Sequence, residues 1–334
     1  MAENSSTQYV ASTSPHAHEG SSVPTIMRDV IVAMIPALAW AVYRFQWDAV
    51  RLTGACVFTC LLSEWVARKI MRRDPDLTDL SAFVTGVLLA FNLPPALPTW
   101  MAVVGSVFAV VVAKQLFGGI GYNPFNPALV GRVFLLVSFP VQMTTWSAWQ
   151  IPSPAAGVEA VTTATPLGLL KTSLTQGVIP YQFDSTTAWQ FFLGVKNGSI
   201  GEVSGLALLI GAAYLLYRRC SYWHVPVFFV GAVALIAQIL WKTDPAHNLP
   251  ALFHLLSGGV ILGAFFMATD MVTSPVTRTG MAIFGAGCGV LTMIIRKWGG
   301  YPEGVSFAIL IMNSIVPLIN RATRPRVFGH LKRD

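Results

Sequence analysis

Long apolar stretches separated by short breaks dominate this sequence. Ten of them, 14 to 23 residues long, are bounded by Gly, Pro or basic residues. A helix needs about 20 apolar residues to cross the hydrocarbon core of a bilayer, so stretches of this length predict transmembrane helices. Charged residues form only 11% of the chain, whereas about 25% is usual in a soluble domain. We therefore predict an all-α polytopic membrane protein.

The predicted spans fall into two sets of five, on either side of one long polar loop. They cover residues 29–43, 49–71, 80–93, 100–117, 128–145, 203–217, 225–241, 250–269, 281–298 and 303–319. The chain then divides into a polar N-terminus (1–27), a first membrane repeat (28–145), the loop (146–202), a second membrane repeat (203–320) and a basic tail (321–334).

The basic residues predict how the chain is oriented. Lys and Arg concentrate at span ends and in the C-terminal tail, which indicates a membrane-orientation signal rather than a nucleic-acid surface. With both termini in the cytoplasm, 15 of the 22 Lys and Arg residues lie on the cytoplasmic side and 7 on the other. Cytoplasmic loops carry such an excess. We therefore predict cytoplasmic termini, an outward-facing loop and no nucleic-acid partner.

The two sets of spans resemble each other. Residues 86–89 (GVLL) recur as residues 259–262 (GVIL), and the glycine pair 118–119 recurs as 299–300. Because five is an odd number, two similar halves of five spans must lie in the membrane with opposite orientations. This is the inverted-repeat arrangement of many transporters.

Irregular backbone is predicted where prolines interrupt or end the spans, at residues 93–98 and 265–275. In an inverted repeat these interruptions would face each other near the membrane midplane and enclose a site. Asp270 lies beside several hydroxyl residues, so it fits a cation or polar ligand as well as an ordinary turn. Asn123 and Asn126 are separated by prolines and fit either a helix cap or the wall of a pocket.

Two charged residues inside the spans need partners. Glu64 precedes Arg68 by four residues, which places both on one helical face and predicts an ion pair. Arg132 has no carboxylate at helical spacing. Two interpretations of Arg132 remain open: extension of the side chain to the cytoplasmic surface, and contact with a bound anion.

Several common site motifs are absent from the sequence. The four cysteines include no CxxC pair, the six histidines form no HExxH motif, and no GxGxxG or P-loop is present. We therefore predict no metal site, and no nucleotide bound through a glycine-rich loop.

The long loop contains a cluster of hydroxyl groups. Residues 159–167 read EAVTTATPL, with three threonines and one acidic residue among nine. Such residues are common in ordinary connections, and that is one interpretation. The position of the cluster, in the one polar gap between two membrane-embedded halves, favours a second interpretation, in which this loop carries chemistry.

Four sequence blocks resemble one known family. The sequence is similar to the RnfD components of the Rnf electron-transport complexes and to their relatives, the NqrB components of the sodium-pumping NADH:quinone reductases. The resemblance is carried by TIMRDV (25–30), GGIGYNPFNPALVGR (118–132), FMATD with TSP (266–270 and 273–275) and YPEG (301–304). It runs from about residue 14 to the end of the last span.

The resemblance implies a covalent flavin. The family carries a flavinylation motif consisting of an acidic residue, two spacers, Ser or Thr, a small residue, then Ala-Thr, and residues 159–165 match it. The family pattern places FMN on the last hydroxyl through its phosphate, which is Thr165 here. Asp is more usual than Glu159, and a smaller residue is more usual than Thr163. Thr162 and Thr163 are then expected to donate to the phosphate oxygens.

The resemblance also implies a second, noncovalent flavin, usually riboflavin, for which Asn123, Asn126 and Asp270 are the candidate residues. A flavin exchanges one or two electrons, so it links one-electron and hydride donors. The implied function is a subunit of a bacterial inner-membrane redox translocase that relays electrons between ferredoxin and NAD sites and couples them to Na⁺ or H⁺ transport. The expected partners are the Rnf subunits A, B, C, E and G, a flavin transferase and membrane lipid.

A different class of function is compatible with the same fold. The family is similar in fold to urea channels, and a chain of inverted repeats with broken helices also fits a channel or carrier for a small solute. The carrier interpretation predicts a colourless protein with an open polar path, whereas the relay interpretation predicts bound flavin.

Overall fold

The regular structure of the described chain is helical. The computed structural model describes residues 22–74, 77–146, 165–175, 183–245 and 247–325, and in these residues it contains helices and no strands. The predicted motif residues Glu159, Thr162 and Thr163 lie outside the described residues. The all-α prediction is confirmed for the part of the chain that can be compared.

Helices of the first half follow the predicted spans closely. They are α1 (Val23–Phe45), α2 (Trp47–Ile70), α3 (Ser81–Phe91), α4 (Thr99–Val107, which continues as a π-helix over Phe108–Gln115), α5 (Pro127–Ser138) and α6 (Pro140–Thr144). The interruption predicted at 93–98 is confirmed, because α3 ends at Phe91 and α4 begins at Thr99.

The connection and the second half add eight more helices. They are α7 (Pro166–Thr175), α8 (Ser185–Leu193), α9 (Gly205–Tyr217), α10 (His224–Thr243), α11 (Ala251–Leu256), α12 (Val260–Leu262, which continues as a π-helix over Gly263–Met267), α13 (Arg278–Trp298) and α14 (Val305–Ala322). The break predicted at 265–275 is present between Met267 and Arg278.

Three predicted spans depart from the observed helices; one of them, 128–145, is interrupted at Phe139 between α5 and α6. The first helix begins at Val23 rather than at residue 29, because Ser22 caps it by accepting from the Thr25 amide and because proline is tolerated in a first turn. The predicted span 250–269 is broken at residues 257–259, where Gly258 has a φ of +69°. Only glycine adopts that backbone conformation readily, so the helix stops and restarts there.

Length and hydropathy show a multi-pass membrane protein. Five helices in the described residues are long and apolar enough to cross a bilayer: α1, α2, α10, α13 and α14. The helices Ser81–Phe91, Thr99–Gln115, Pro127–Ser138 and Gly205–Tyr217 are apolar but shorter. The count of ten spans stays a prediction, since short helices of this kind cross a membrane only in combination with neighbouring irregular segments.

Helices of the same half pack on each other, and two pairs of helices join the halves. Within the first half α2 packs on α3 and α4, and within the second half α10 packs on α11 and α13. Across the halves α1 contacts α9, and α5 contacts α14. One large apolar core joins residues from both halves.

The contact between α1 and α9 depends on a glycine. A Cβ atom built at Gly211 would overlap the carbonyl oxygen of Ala33 and would lie 3.0 Å from the Phe266 ring. The two helix backbones therefore approach more closely than any side chain at position 211 allows.

We expect Gly211→Ala to destabilise the protein by about 1 to 3 kcal/mol, the usual cost of overpacking a core. Gly231→Ala is the matched control, because a Cβ atom there meets nothing within 4 Å. That control should stabilise helix α10 by about 0.5 to 1 kcal/mol, the ordinary difference between Gly and Ala in a helix. Thermal unfolding of the purified membrane protein measures both changes, and equal midpoints for the two variants would contradict the close approach.

Candidate functional site

Thr165 begins helix α7. Its hydroxyl oxygen accepts a hydrogen bond from the Gly168 amide at 3.1 Å, and its carbonyl oxygen accepts from the Leu169 amide at 2.9 Å. These are the contacts of a helix N-cap residue. The partial positive charge of a helix N-terminus therefore lies beside the Thr165 hydroxyl, which favours an anionic group at that position.

Helix α7 is held against the second half by apolar and polar contacts. Leu167 and Leu170 belong to a small buried cluster that also contains Phe253 and Leu256 of α11. Lys171 of the same helix donates to the carbonyl oxygen of Tyr301 at 3.0 Å and to that of Gly299. These contacts fix the position of Thr165 relative to the membrane-embedded helices.

A cavity opens beside Thr165. We call it the Thr165 cavity; its volume is about 470 Å³, and its charged or conformationally important lining residues are Thr165, Lys171, Lys196, Glu202, Gly258 and Glu303. Sites for small molecules and cofactors commonly enclose about 300 to 1,000 Å³. The volume of the Thr165 cavity therefore lies within the range of sites that hold small molecules.

A buried group of charges reaches the cavity through Lys196, Glu202 and Glu303. We call it the Glu303 cluster; it consists of Arg132, Lys196, Glu202, Arg296 and Glu303. Arg132 bonds to the Glu303 carboxylate, and its nearest nitrogen lies 3.6 Å from the Glu202 carboxylate. With all five groups ionised the cluster carries three positive and two negative charges.

The carboxylates of Glu202 and Glu303 both lie beside the break between α11 and α12. The Gly259 amide donates to Glu303, and a Cβ atom built at Gly259 would lie 2.9 Å from Glu303 Oε1 and 3.3 Å from Glu202 Oε1. At Gly258, a Cβ atom would lie 3.0 Å from an Arg296 nitrogen. The two glycines therefore let the backbone approach the Glu303 cluster, where any side chain would displace it.

Arg296 and Lys196 satisfy the backbone around this break. Arg296 donates to the carbonyl oxygens of His254 at 2.7 Å and Ser257 at 3.0 Å, and Lys196 donates to that of Leu256. The last carbonyls of a helix lack partners within the helix. These two cations supply the missing donors at the end of α11 and at the same time place positive charge beside the cavity.

Burial changes the acidity of two groups in the connection between α8 and α9. Burial, together with the neighbouring Glu303 carboxylate, raises the pKa of Glu202 to about 7. Burial lowers the pKa of Lys196 to about 8, although both carboxylates oppose that shift. The neutral acid form of Glu202 is therefore more favoured than that of an ordinary exposed glutamate.

Neither interpretation of Arg132 from the sequence describes its contacts. Arg132 is buried, and besides its two carboxylates it donates to the Asn92 side-chain oxygen at 3.0 Å and to Ser306 Oγ at 2.6 Å. Its anionic partners are therefore groups of the protein itself. Spacing along one helix cannot reveal them, because Glu202 and Glu303 lie far from Arg132 in sequence.

The residues proposed for a second site do lie together. Asn123, Asn126 and Asp270 line one cavity of about 90 Å³, which also includes Lys114; we call it the Asn126 cavity. Both interpretations of Asn126 hold, since it caps α5 by accepting from the Ala128 amide at 3.1 Å and also lines the cavity.

The other two candidate residues, Asn123 and Asp270, stabilise local turns. Asn123 donates to the Phe125 carbonyl oxygen at 3.1 Å. Asp270 accepts from Thr273 Oγ1 at 3.1 Å and from the Val272 amide at 3.3 Å. The turn interpretation of Asp270 therefore describes its contacts, and its place in the wall of the Asn126 cavity leaves a role toward a ligand open.

The ion pair predicted between Glu64 and Arg68 is confirmed at 2.6 Å. The structure adds Lys114, whose ammonium lies 2.6 Å from Glu64 and 2.6 Å from the Ser81 hydroxyl. Glu64 is fully buried, so the pair is part of an internal network rather than a surface contact. Sequence reasoning missed Lys114, although a lysine within an apolar stretch was a visible signal.

A chain of polar contacts joins the two cavities. Asn126 donates to the Met267 carbonyl oxygen at 3.2 Å, and Asn92 lies 3.6 Å from the sulfur of the same Met267. Asn92 in turn accepts from Arg132, whose carboxylate partners line the Thr165 cavity. This series of polar contacts includes residues from both halves and has one cavity at each of its two ends.

Comparison with known proteins identifies the family. Residues 10–329 match the NQR2, RnfD, RnfE family. The chain is 47% identical over 321 residues to the D subunit of the Na⁺-translocating ferredoxin:NAD⁺ oxidoreductase complex of Acetobacterium woodii, covering 96% of this chain and 95% of the relative.

Two further relatives are also D subunits of ion-translocating oxidoreductase complexes. The chain is 42% identical over 322 residues to the D subunit of the proton-translocating ferredoxin:NAD⁺ oxidoreductase complex of Clostridium ljungdahlii, covering 96% of each chain. It is also 42% identical over 342 residues to the D subunit of the ion-translocating oxidoreductase complex of Stutzerimonas stutzeri, covering 94% of each chain. The chain belongs to the NQR2, RnfD, RnfE family.

Proposed function

We propose that this chain is the flavin-carrying membrane subunit of an ion-translocating ferredoxin:NAD oxidoreductase of the Rnf type. Its nearly full-length similarity to the corresponding subunits of such complexes supports the assignment. The observation that carries the flavin proposal is the position of Thr165, which caps α7 at the edge of a cavity lined by charged residues.

The residues around Thr165 fit FMN joined through a phosphoester. The threonine oxygen supplies the ester bond, and the N-terminus of α7 stabilises the phosphate charge. Lys171 and Lys196 place two further cations in the cavity wall. A flavin bound there supplies one- and two-electron transfer, while these residues set its position and electrostatic environment.

The coupling of electron flow to ion export belongs to the whole complex. The relatives include one named for Na⁺ and one named for proton translocation, so the chain's family is compatible with either ion. Moving one charge against 100 mV requires about 2.3 kcal/mol, which the redox drop across the complex must supply. The other Rnf subunits A, B, C, E and G are the proposed redox partners, and a flavin transferase is the proposed maturation partner.

The membrane arrangement that we propose is two inverted repeats of five helices in the bacterial inner membrane. The pairing of α1 with α9 and of α5 with α14 supports the repeat, since both contacts join helices at the same place in each half. Termini in the cytoplasm and Thr165 on the outer side follow from the distribution of basic residues.

The polar chain between the cavities favours the relay over a solute channel. Arg132, Asn92 and Ser306 fill this connection, where Arg132 hydrogen-bonds to the other two. A cation entering from the Thr165 cavity would meet the Arg132 guanidinium. In the part of the chain that the structure describes, this connection is therefore a packed polar contact rather than an open path.

A second, noncovalent flavin remains part of the proposal, with Asn123, Asn126 and Asp270 as its candidate residues. The Asn126 cavity, at about 90 Å³, is smaller than the usual range of about 300 to 1,000 Å³ for a ligand site. It has room for waters or a small ion as it stands, and a flavin requires the surrounding helices to separate.

Thr165→Asn tests the covalent site. Asn is as good an N-cap residue as Thr, so α7 should keep its start, but no hydroxyl is left to form the ester. We expect the flavin fluorescence of the denatured protein band to fall to background when the chain is produced with its flavin transferase. Thr172→Val is the matched control, because Thr172 lines the same cavity about two turns further along α7; it should keep full fluorescence. A fluorescent band in Thr165→Asn would contradict the assignment.

Asp270→Asn tests the second flavin. We expect less riboflavin in the acid-soluble extract of the purified complex, with the covalent fluorescence unchanged, because only the Asn126 cavity is altered. Asp244→Asn serves as the control, since Asp244 is an exposed residue paired with His247 at a helix end. The same amount of extracted flavin from all three proteins would remove Asp270 from the proposal.

A further inference from the structure

The wall of the Thr165 cavity contains two carboxylates whose surroundings differ. Glu303 accepts hydrogen bonds from the Arg132 guanidinium and from the Gly259 amide. Both groups only donate, so they stabilise the ionised form of Glu303. This carboxylate is suited to remain charged.

Glu202 has different partners. Its nearest cation is the Arg132 guanidinium at 3.6 Å, beyond hydrogen-bond distance, and its hydrogen-bond partner is the Ser199 hydroxyl at 2.5 Å. A hydroxyl group donates to a carboxylate and accepts from a carboxylic acid. Ser199 can therefore satisfy Glu202 in both protonation states, whereas the partners of Glu303 cannot do so for Glu303.

The charges around Glu202 come from all sides. Those that face it or the same cavity are Arg132 on α5, Lys171 on α7, Lys196 in its own connection, Arg296 on α13 and Glu303 before α14. Arg44 on α1 lies close enough to affect Lys196. Because Glu202 is buried but lines the cavity, it responds strongly to any charge added there.

Reduction of a flavin in this cavity adds negative charge. The added charge favours proton binding at the carboxylate that is least well compensated. We propose that Glu202 takes up a proton when a flavin held at Thr165 is reduced and releases it when the flavin is oxidised. This inference rests on the proposed function.

The step balances in atoms and electrons. The electrons come from the redox centres of the other subunits and remain on the flavin. The proton comes from a hydronium ion of the bulk solvent, which leaves as water, and forms one O–H bond on the Glu202 carboxylate, which becomes a neutral acid hydrogen-bonded to Ser199. Oxidation reverses the step and returns the proton to the solvent.

The experiment is a spectroelectrochemical titration of the covalent flavin in the purified complex, repeated at pH values on both sides of about 7. In Glu202→Gln the side chain is neutral at every pH. At pH values below the pKa of Glu202, the Glu202 side chain of the unsubstituted protein is also neutral. The two proteins should then have the same midpoint potential. As the pH rises through the pKa, the carboxylate ionises and disfavours the reduced flavin. The potential of the unsubstituted protein should therefore fall below that of Glu202→Gln and then keep a constant difference.

Asp184→Asn is the matched control. Asp184 is an exposed carboxylate that caps α8 and accepts from the Thr187 amide at 2.8 Å, and Asn keeps that cap. Its potential should follow that of the unsubstituted protein at every pH. The comparison separates a local effect of Glu202 from the general effect of removing one negative charge.

Ser199→Ala gives a second test that does not depend on Glu202→Gln being stable. The hydroxyl of Ser199 lowers the pKa of Glu202, so its removal should move the pH at which the potential changes slope upward. The change in potential across the titration should keep its size, because the Glu202 carboxylate is still present.

Three results are decisive against the inference. A potential difference of equal size at every pH, or no difference at all, would show that Glu202 does not titrate with the flavin. An unshifted slope change in Ser199→Ala would show that the titrating group is another one. A complex without any covalently fluorescent chain would instead overturn the proposed function, which separates the two failures.

Discussion

The arrangement of the two halves depends on the ion pairs and hydrogen bonds of the buried Arg132 guanidinium. A charge removed from water is costly unless it is paired and hydrogen-bonded. Arg132 on α5 meets this requirement with Glu202 from the central connection, Glu303 from the start of α14 and Asn92 from the end of α3. Each of these groups belongs to a different segment of the chain. Separation of α5 from these segments would remove partners from buried charges, so the pairing favours one arrangement.

Broken helices make this pairing possible. Within the interior of a continuous helix the carbonyl and amide groups bond to each other, and only the groups at its two ends are left for other residues. The break between α11 and α12 frees the Gly259 amide for Glu303 and the carbonyl oxygens of His254 and Ser257 for Arg296. The break between α3 and α4 places Asn92 against Arg132. Irregular backbone inside a membrane protein is tolerated where it faces such internal polar groups. The interrupted helices therefore supply backbone partners for the buried charges, and the buried charges satisfy the irregular backbone.

Residues near each other in sequence were predicted well, and residues brought together by packing were not. The pairing of Glu64 with Arg68 follows from a spacing of four residues in one helix, and the cap formed by Asn126 follows from the proline beside it. The partners of Arg132, the contact of Lys114 with Glu64, and the glycine break at residue 258 were missed. In each of these the partner comes from another helix, or the cause is a carboxylate that approaches the backbone from a distant segment. Composition and periodicity carry no information on such contacts.

The sequence alone determined that this chain is helical and crosses a membrane several times. It did so because a lipid environment requires long apolar segments whose backbone groups are satisfied within each helix. Residues 159–165, which we propose as a flavinylation motif, were also visible as a local string of residues. Tertiary structure decided which side chains meet. It placed Thr165 at the start of α7, beside a cavity whose charged lining comes from α7 and from the segments before α9 and α14. The physical reason is that a buried charge is governed by distance in space, and one chain's spacing sets that distance only within a single helix.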